Sequence, residues 1–144
     1  MALILTDLGA DQMLKAYFNN SFPASKDYKL KLFANNYTPV DTSVLGSFTE
    51  AAGGGYASIS LTNGSWTVTP ADDPSDAVYA EQTFTFTGPL TTNTTIYGYW
   101  VEDNAGSTGV AVFAELLATP FVPANNGDTL KLTIKFQLSK GTPA

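Results

Sequence analysis

Leu130-Lys131-Leu132-Thr133-Ile134-Lys135-Phe136-Gln137-Leu138 alternates apolar and polar residues without a fault. A period of two places every second side chain on the same face, so this stretch reads as a β-strand with one face buried and one in water. The same signature recurs upstream. Gln82, Phe84 and Phe86 alternate with Thr83, Thr85 and Thr87 within a predicted strand over Ala77 to Thr87. Tyr28 to Asn35 sets Leu30, Leu32 and Ala34 on one face against Lys29, Lys31 and Phe33, with Phe33 the one apolar residue on the polar side.

Turn signals divide the rest. Asn36 to Ser43 is turn-rich and leads to a predicted strand from Val44 to Glu50, and Gly53-Gly54-Gly55 marks a hinge or loop tip. Tyr56 to Leu61 and Trp66 to Thr69 flank Asn63-Gly64 and are expected to form a hairpin. Thr94 to Glu102 and Gly109 to Leu117 flank Asp103-Asn104-Ala105-Gly106 and are expected to form another. Apolar residues on both faces of this second hairpin place it centrally. One helix is predicted near the start, where Ala10, Met13, Leu14, Tyr17 and Phe18 recur at three-and-four spacing. Asp7 or Asp11 is its expected cap, and Asn19 to Pro23 its stop. With about eight strands and no helix between them, parallel crossover units are excluded and the fold class is all-β, an antiparallel β-sandwich or jelly roll. Residues 1-144 read as one domain, comprising an N-terminal arm and helix over 1-22 and a sandwich over 28-138.

The 144 residues are enough to bury a core without staples, and the chain has no cysteine with which to make one. It also has no histidine, the side chain most used for proton transfer near neutral pH and the commonest metal ligand. All seven basic residues are lysines, set against thirteen carboxylates, and the net charge of −6 opposes binding to a phosphate backbone. No nucleic-acid partner is expected. No apolar run reaches the length of a membrane span, and no basic segment precedes Leu3-Ile4-Leu5, so neither membrane anchoring nor export is expected. The four Asn-x-Ser/Thr sequons, at Asn19, Asn36, Asn63 and Asn93, are read as turn chemistry.

The remaining acid and base candidates are carboxylates. In the expected register Glu102 faces Gly109 and Glu115 faces Ile96, which puts both on one sheet face but six residues apart, roughly 20 Å at the rise of a strand. A two-residue slip still leaves about 13 Å, beyond the roughly 5 to 10 Å of a glycosidase pair. Glu81 could approach either one in the folded sheet. Asp72, Asp73 and Asp76 crowd one loop but lack the alternating spacing of a calcium loop, and no Ser-x-x-Lys supplies a hydroxyl nucleophile with a base. No catalytic residue, metal or cofactor is therefore expected, and the chain is read as a protein that binds rather than an enzyme.

Two binding features remain. Leu3, Ile4, Leu5 and Leu8, followed by Met13, Tyr17 and Phe18 of the helix, offer apolar surface that either docks on a neighbouring chain or closes an open end of this protein's own sheet. Trp66, Tyr97, Tyr99 and Trp100, with Phe113, are candidates for a sugar-stacking platform, or else simply core and sheet partners.

Leu30-Lys31-Leu32-Phe33-Ala34-Asn35-Asn36-Tyr37-Thr38-Pro39, Phe48-Thr49-Glu50 and Gly55-Tyr56-Ala57 together resemble small proteins of tailed bacteriophages, typically capsid decoration (cement) proteins. The likeness runs on through Gln82 to Phe86, Ile96 to Tyr99, Ala114-Glu115 and Ala124 to Leu130, and leaves the N-terminal helix outside. It implies a structural virion protein, made in the host cytoplasm, that sits on the outer capsid surface, binds the major capsid protein, stabilises the head and self-associates as a trimer or dimer. The alternative is a tail-associated or fibre-tip module that binds a receptor or glycan. A third class, a carbohydrate-active enzyme, would use Glu81 and Glu115.

Overall fold

The computed structural model describes residues 3–19, 27–69, 75–103 and 109–138. Five strands form an antiparallel sheet in the order β1 (Ile4–Leu5), β10 (Ala111–Phe121), β9 (Ile96–Asp103), β2 (Tyr28–Phe33) and β4 (Ile59–Leu61). Against it lies a layer of shorter ladders: β11 (Thr129–Leu132) on β7 (Gln82–Thr85), and β12 (Lys135–Leu138) on β6 (Ser75–Val78), with β5 (Thr67–Thr69) on the far side of β6. A small pair, β3 (Ala52–Gly53) with β8 (Leu90–Thr92), completes the strands. The core fills the space between the layers. Leu30, Leu32, Tyr99, Val101 and Phe113 from the large sheet meet Phe84, Phe86, Leu132, Ile134 and Phe136 from the other. Phe113 and Phe136 touch across the gap, ring centres 5.9 Å apart. The predicted all-β, sandwich-like fold is thus what the chain adopts.

The alternation holds over residues 131–137: Leu132, Ile134 and Phe136 are buried while Lys131, Thr133, Lys135 and Gln137 are exposed, and Leu130 is half-buried. Its ladder, however, is broken. Leu132 pairs with Gln82 and Lys135 with Val78, so Tyr79, Ala80 and Glu81 stand opposite only Thr133 and Ile134. The extra residue is a bulge, crossed by the bond that the Tyr79 N–H donates to the Ile134 carbonyl at 2.9 Å. It divides both this stretch and the expected strand Ala77 to Thr87 in two, while Phe84 and Phe86 still face inward.

Two other expectations are corrected. Val44 to Glu50 is not a strand; Leu45–Ser47 is a short 3₁₀ helix, η1. The Ser43 and Ser47 hydroxyls accept from the N–H groups of Val40 and Val44, and such local bonds offer the backbone an alternative to a ladder. Nor do the segments around Asn63-Gly64 form a hairpin. The turn itself exists, with the Ser65 N–H donating to the Thr62 carbonyl and Gly64 at φ 86°. Yet β4 joins the large sheet and β5 the opposite layer, because each finds its partner elsewhere, in β2 and β6.

The helix α1 (Asp7–Asn19) forms as expected, but its cap is Thr6. The Gly9 N–H donates to Thr6 Oγ1 at 2.9 Å, and the hydroxyl donates in turn to the Ala111 carbonyl. Asp11 instead pairs with Lys15 one turn on. Of the expected stop, Asn19 ends the helix and the residues after it lie outside the described ones. Gly9 abuts the backbone of Val112 so closely that any Cβ would overlap it.

Gly9→Ala is therefore expected to destabilise. Alanine gains about 1 kcal/mol in helix propensity, but an overlap with backbone cannot be relieved by a rotamer and costs about 1–3 kcal/mol. A lowered melting temperature by circular dichroism would show that the close approach wins. Acid provides a second test. Asp128 accepts the N–H groups of Ala124 and Asn125, both at 2.8 Å, which hold its carboxyl below the ordinary 3.8; Asp76 is held below it by the Gln137 amide and by Lys135. A lowered folded-state value means that their contribution is complete above 3.8 and is lost as pH falls through the folded values. Carboxyl titration by NMR should find both groups below 3.8, with stability falling over that same acid range.

Candidate functional site

The N-terminal residues divide between inside and outside. Ile4 and Leu5 pair with Ala114 and Phe113, and so close the edge of β10. Leu3, Leu5 and Met13 pack on the main core, and Ile4 is half-buried. Leu3, Leu5 and Met13 thus contribute to the protein's own sandwich. The outer side of α1 differs. Leu8 is 41% exposed, Leu14 59% and Phe18 73%. The contact at Gly9 turns the helix so that Leu14 and Phe18, expected in the buried stripe, face outward beside the Asp11–Lys15 pair. The Tyr17 side chain lies outside the described residues.

The aromatic candidates do not form one platform. Tyr99 and Trp100 are neighbours on β9 and therefore point to opposite sheet faces, each 3% exposed. Tyr99 faces the main core and its hydroxyl donates to the Glu115 carboxylate; burial, then that bond, pushes the phenol up. Trp100 faces outward, but Phe48 stacks on it at 5.2 Å, and Phe33, Ala111 and Ala114 complete a second cluster. Tyr97 is half-buried against the same cluster, whereas Trp66 packs edge-on to Tyr79 at 5.1 Å in the main core. Phe113 is also core. Phe33, odd on its strand face by pattern, is the floor of this outer cluster.

The carboxylates are likewise kept apart. Glu102 pairs with Ala111 and Glu115 with Tyr99, three residues along β9, so the two point to opposite faces rather than sharing one. The expected register missed an irregularity between Ala111 and Phe113. Glu102 is held by Lys31 at 3.0 Å and Glu81 by Lys131 at 3.3 Å. Burial works against the Lys31 charge, but hydrogen bonds from its ammonium to Glu102 and Glu50 outweigh it and raise the group above its ordinary value. Asp76 pairs with Lys135 at 2.9 Å; Asp72 and Asp73 lie outside the described residues. Among the described residues no cluster of acidic side chains has the arrangement of a metal site.

Two grooves open beside these features. One, of about 330 Å³, is mostly apolar and runs between Met13 of α1 and Trp66, Val68, Phe113 and Phe136 at one end of the sandwich. The other, of about 410 Å³, is lined by asparagines, threonines and Tyr97 where β2 ends and β9 begins. No protein family, curated protein or solved structure matches the chain.

Sequence reading missed both Leu14 as a surface residue and the polar groove. The first depends on Gly9, whose packing role no periodicity reports. The second joins two segments far apart in the chain, although the asparagines were legible as turns: Asn63 and Asn93 sit in turn or bend positions. A simple asymmetry tests the orientation of α1. Leu14→Gln is expected to change stability by less than about 0.5 kcal/mol. Met13→Ala should cost about 1–2 kcal/mol, below the range for a fully buried methionine. Urea unfolding of both variants reads the difference.

Proposed function

We propose that the chain is a structural virion protein, a decoration protein that binds the outer surface of a phage head through its major capsid protein and reinforces the shell. The observation that carries this reading is the outward apolar face of α1, with Leu8, Leu14 and Phe18 all exposed on a helix whose other side is already committed to the core. Large exposed apolar side chains gathered on one element mark a contact surface more than scattered ones do. The resemblance of residues 28 to 138 to decoration proteins supplies the partner, and the helix lies outside the shared pattern, as an attachment particular to one shell would. The acidic balance suits an outer face, where the packaged genome is not the neighbour.

The rest of the surface supports binding over catalysis. The carboxylates proposed for sugar hydrolysis are each occupied: Glu115 by Tyr99, Glu102 by Lys31 and Glu81 by Lys131. A general acid or base must reach a substrate proton, and Glu115 of β10 lies opposite Tyr99, on the sheet face that carries the packed core residues Tyr99 and Val101. Self-association as a trimer or dimer would place several helices on the shell at once, and linked contacts bind more tightly than one alone.

Cosedimentation with mature, genome-free capsids of the phage that encodes the protein tests the proposal, with unexpanded shells alongside. The wild type should bind mature shells saturably. Leu14→Asp combined with Phe18→Asp should weaken that binding at least about tenfold while leaving the far-ultraviolet spectrum and melting temperature nearly unchanged. Failure of the wild type to bind either shell would overturn the proposal, and full binding by the double variant would overturn the role of α1.

A further inference from the structure

The polar groove where β2 gives way to Ala34-Asn35-Asn36, facing the Asn93-Thr94-Thr95 turn, carries an inference independent of the capsid reading. We infer that it is a binding site for a neutral saccharide, with Tyr97 as its stacking surface and Asn36, Asn93, Thr94 and Thr95 as its hydrogen-bonding groups.

The groove holds about 410 Å³, within the roughly 300–1,000 Å³ of small-ligand sites. One wall is rigid by construction. The Asn35 amide donates to the Ser47 carbonyl at 2.9 Å, and its oxygen accepts the Thr49 N–H at 2.8 Å, which ties this corner to the segment covering the outer cluster. The opposite wall bends at Asn93, which takes φ 51°, a left-handed conformation that asparagine accepts more readily than most residues. Tyr97 is half-buried and packs on the outer cluster of Phe33, Phe48, Trp100, Ala111 and Ala114.

The side chains left over are the informative ones. Asn36, Asn93, Thr94, Thr95 and the Tyr97 hydroxyl have no hydrogen-bond partner among the described residues. Residues bearing two carboxamides and three hydroxyls, each able both to donate and to accept, thus line one groove that includes one aromatic ring. Among the described residues, no lysine or carboxylate lines it. A phosphate or an acidic sugar would find no cation there. A peptide would ask for apolar side-chain pockets, and beside the ring only Ala34 is aliphatic. A neutral sugar asks for what is present: paired donors and acceptors for adjacent hydroxyls, and a flat ring for the C–H face of the pyranose.

The test is a titration followed by ¹H–¹⁵N NMR, using maltotriose, cellobiose, chitobiose and lactose at millimolar concentrations, with sialyllactose as the charged comparison. At least one neutral saccharide should move the backbone signals of Asn36 and of Asn93 to Tyr97 together with the two asparagine carboxamides. Asn93→Gly keeps the left-handed turn while removing the amide, so it should stay folded and weaken that saccharide about three- to tenfold. Asn36→Ala should do the same from the opposite wall. The inference falls if no neutral saccharide moves these signals, if only sialyllactose does, if the shifts gather instead around Met13 and Trp66, or if both variants bind as the wild type does. Shell binding by Asn93→Gly should be unchanged, so this outcome and that of the capsid experiment are read separately.

Discussion

Burial of both faces of β9 is the constraint from which the rest of the structure follows. Tyr99 and Val101 point into the sandwich and Trp100 points out, and all three are nearly inaccessible. A strand of this kind needs a layer on each side. The inner layer is the second set of ladders, but among the described residues no sheet supplies the outer one. Instead the chain after β2 folds back over the outer face, bringing Tyr37, Leu45 and Phe48 onto Phe33 and Trp100. Phe48 stacks nearly parallel on Trp100, at an angle of 12°, and lies 5.2 Å from Phe33. Fully burying aromatics of this size contributes about 1.5–3 kcal/mol each, whereas ion pairs that remain partly in water contribute about 0–1 kcal/mol. The bridges from Lys31 to Glu50 and Glu102 therefore do not drive the closure. Reaching from β2 to the returning segment on one side and to β9 on the other, they select its register, and the ammonium also lies 5.7 Å from the Trp100 ring.

Tyr56 joins this outer cover to the inner layer. Its hydroxyl accepts the Leu32 N–H and donates to Glu50, both at 3.1 Å, while its ring stacks on Phe84 at 5.9 Å. Burial pushes the phenol far up, so it remains a neutral donor at any ordinary pH. The residue reaches this position because Gly53, Gly54 and Gly55 all take left-handed φ values, which no other run of three residues would do cheaply. The Gly54 carbonyl then receives the Thr87 N–H at 2.8 Å. What reads in sequence as a loop tip is a compact link fastened at both ends.

How much of this was legible depended on whether the determining partner lay nearby in the chain. Face assignment needs only a residue's own neighbours, and the pattern placed Leu30, Leu32 and Ala34, Phe84 and Phe86, and Leu132, Ile134 and Phe136 correctly. Pairing needs the opposite strand. The bulge at Tyr79 to Glu81 arises because two stretches of unequal length must match, and the separation of β4 from β5 because each has a better partner than the other. The carboxylate geometry failed for the same reason, since one irregularity in β10 moves Glu102 and Glu115 from one face to two. Phe33 is the instructive case: its place on the polar face looked like an exception, and, with the apolar residues on both faces of β9 and β10, it was a local sign that the outer face was covered as well.

The helix shows how a packing constraint can create a surface. Apolar residues of α1 span more of its circumference than one contact with β10 can bury, so the orientation has to leave some of them out. Gly9 and Thr6 make that choice. The glycine allows the helix backbone to approach Val112, and the buried Thr6 hydroxyl, bonded to the Ala111 carbonyl, fixes where the helix begins. Together they set its rotation with Met13 inward and Leu8, Leu14 and Phe18 outward. A helix needed only to plug the end of the sandwich would have polar residues at those three positions, as its neighbours Asp11 and Lys15 on the same side do. The exposed apolar side chains of α1 are thus what this orientation leaves on the outer side of the helix once Met13 is packed on the core.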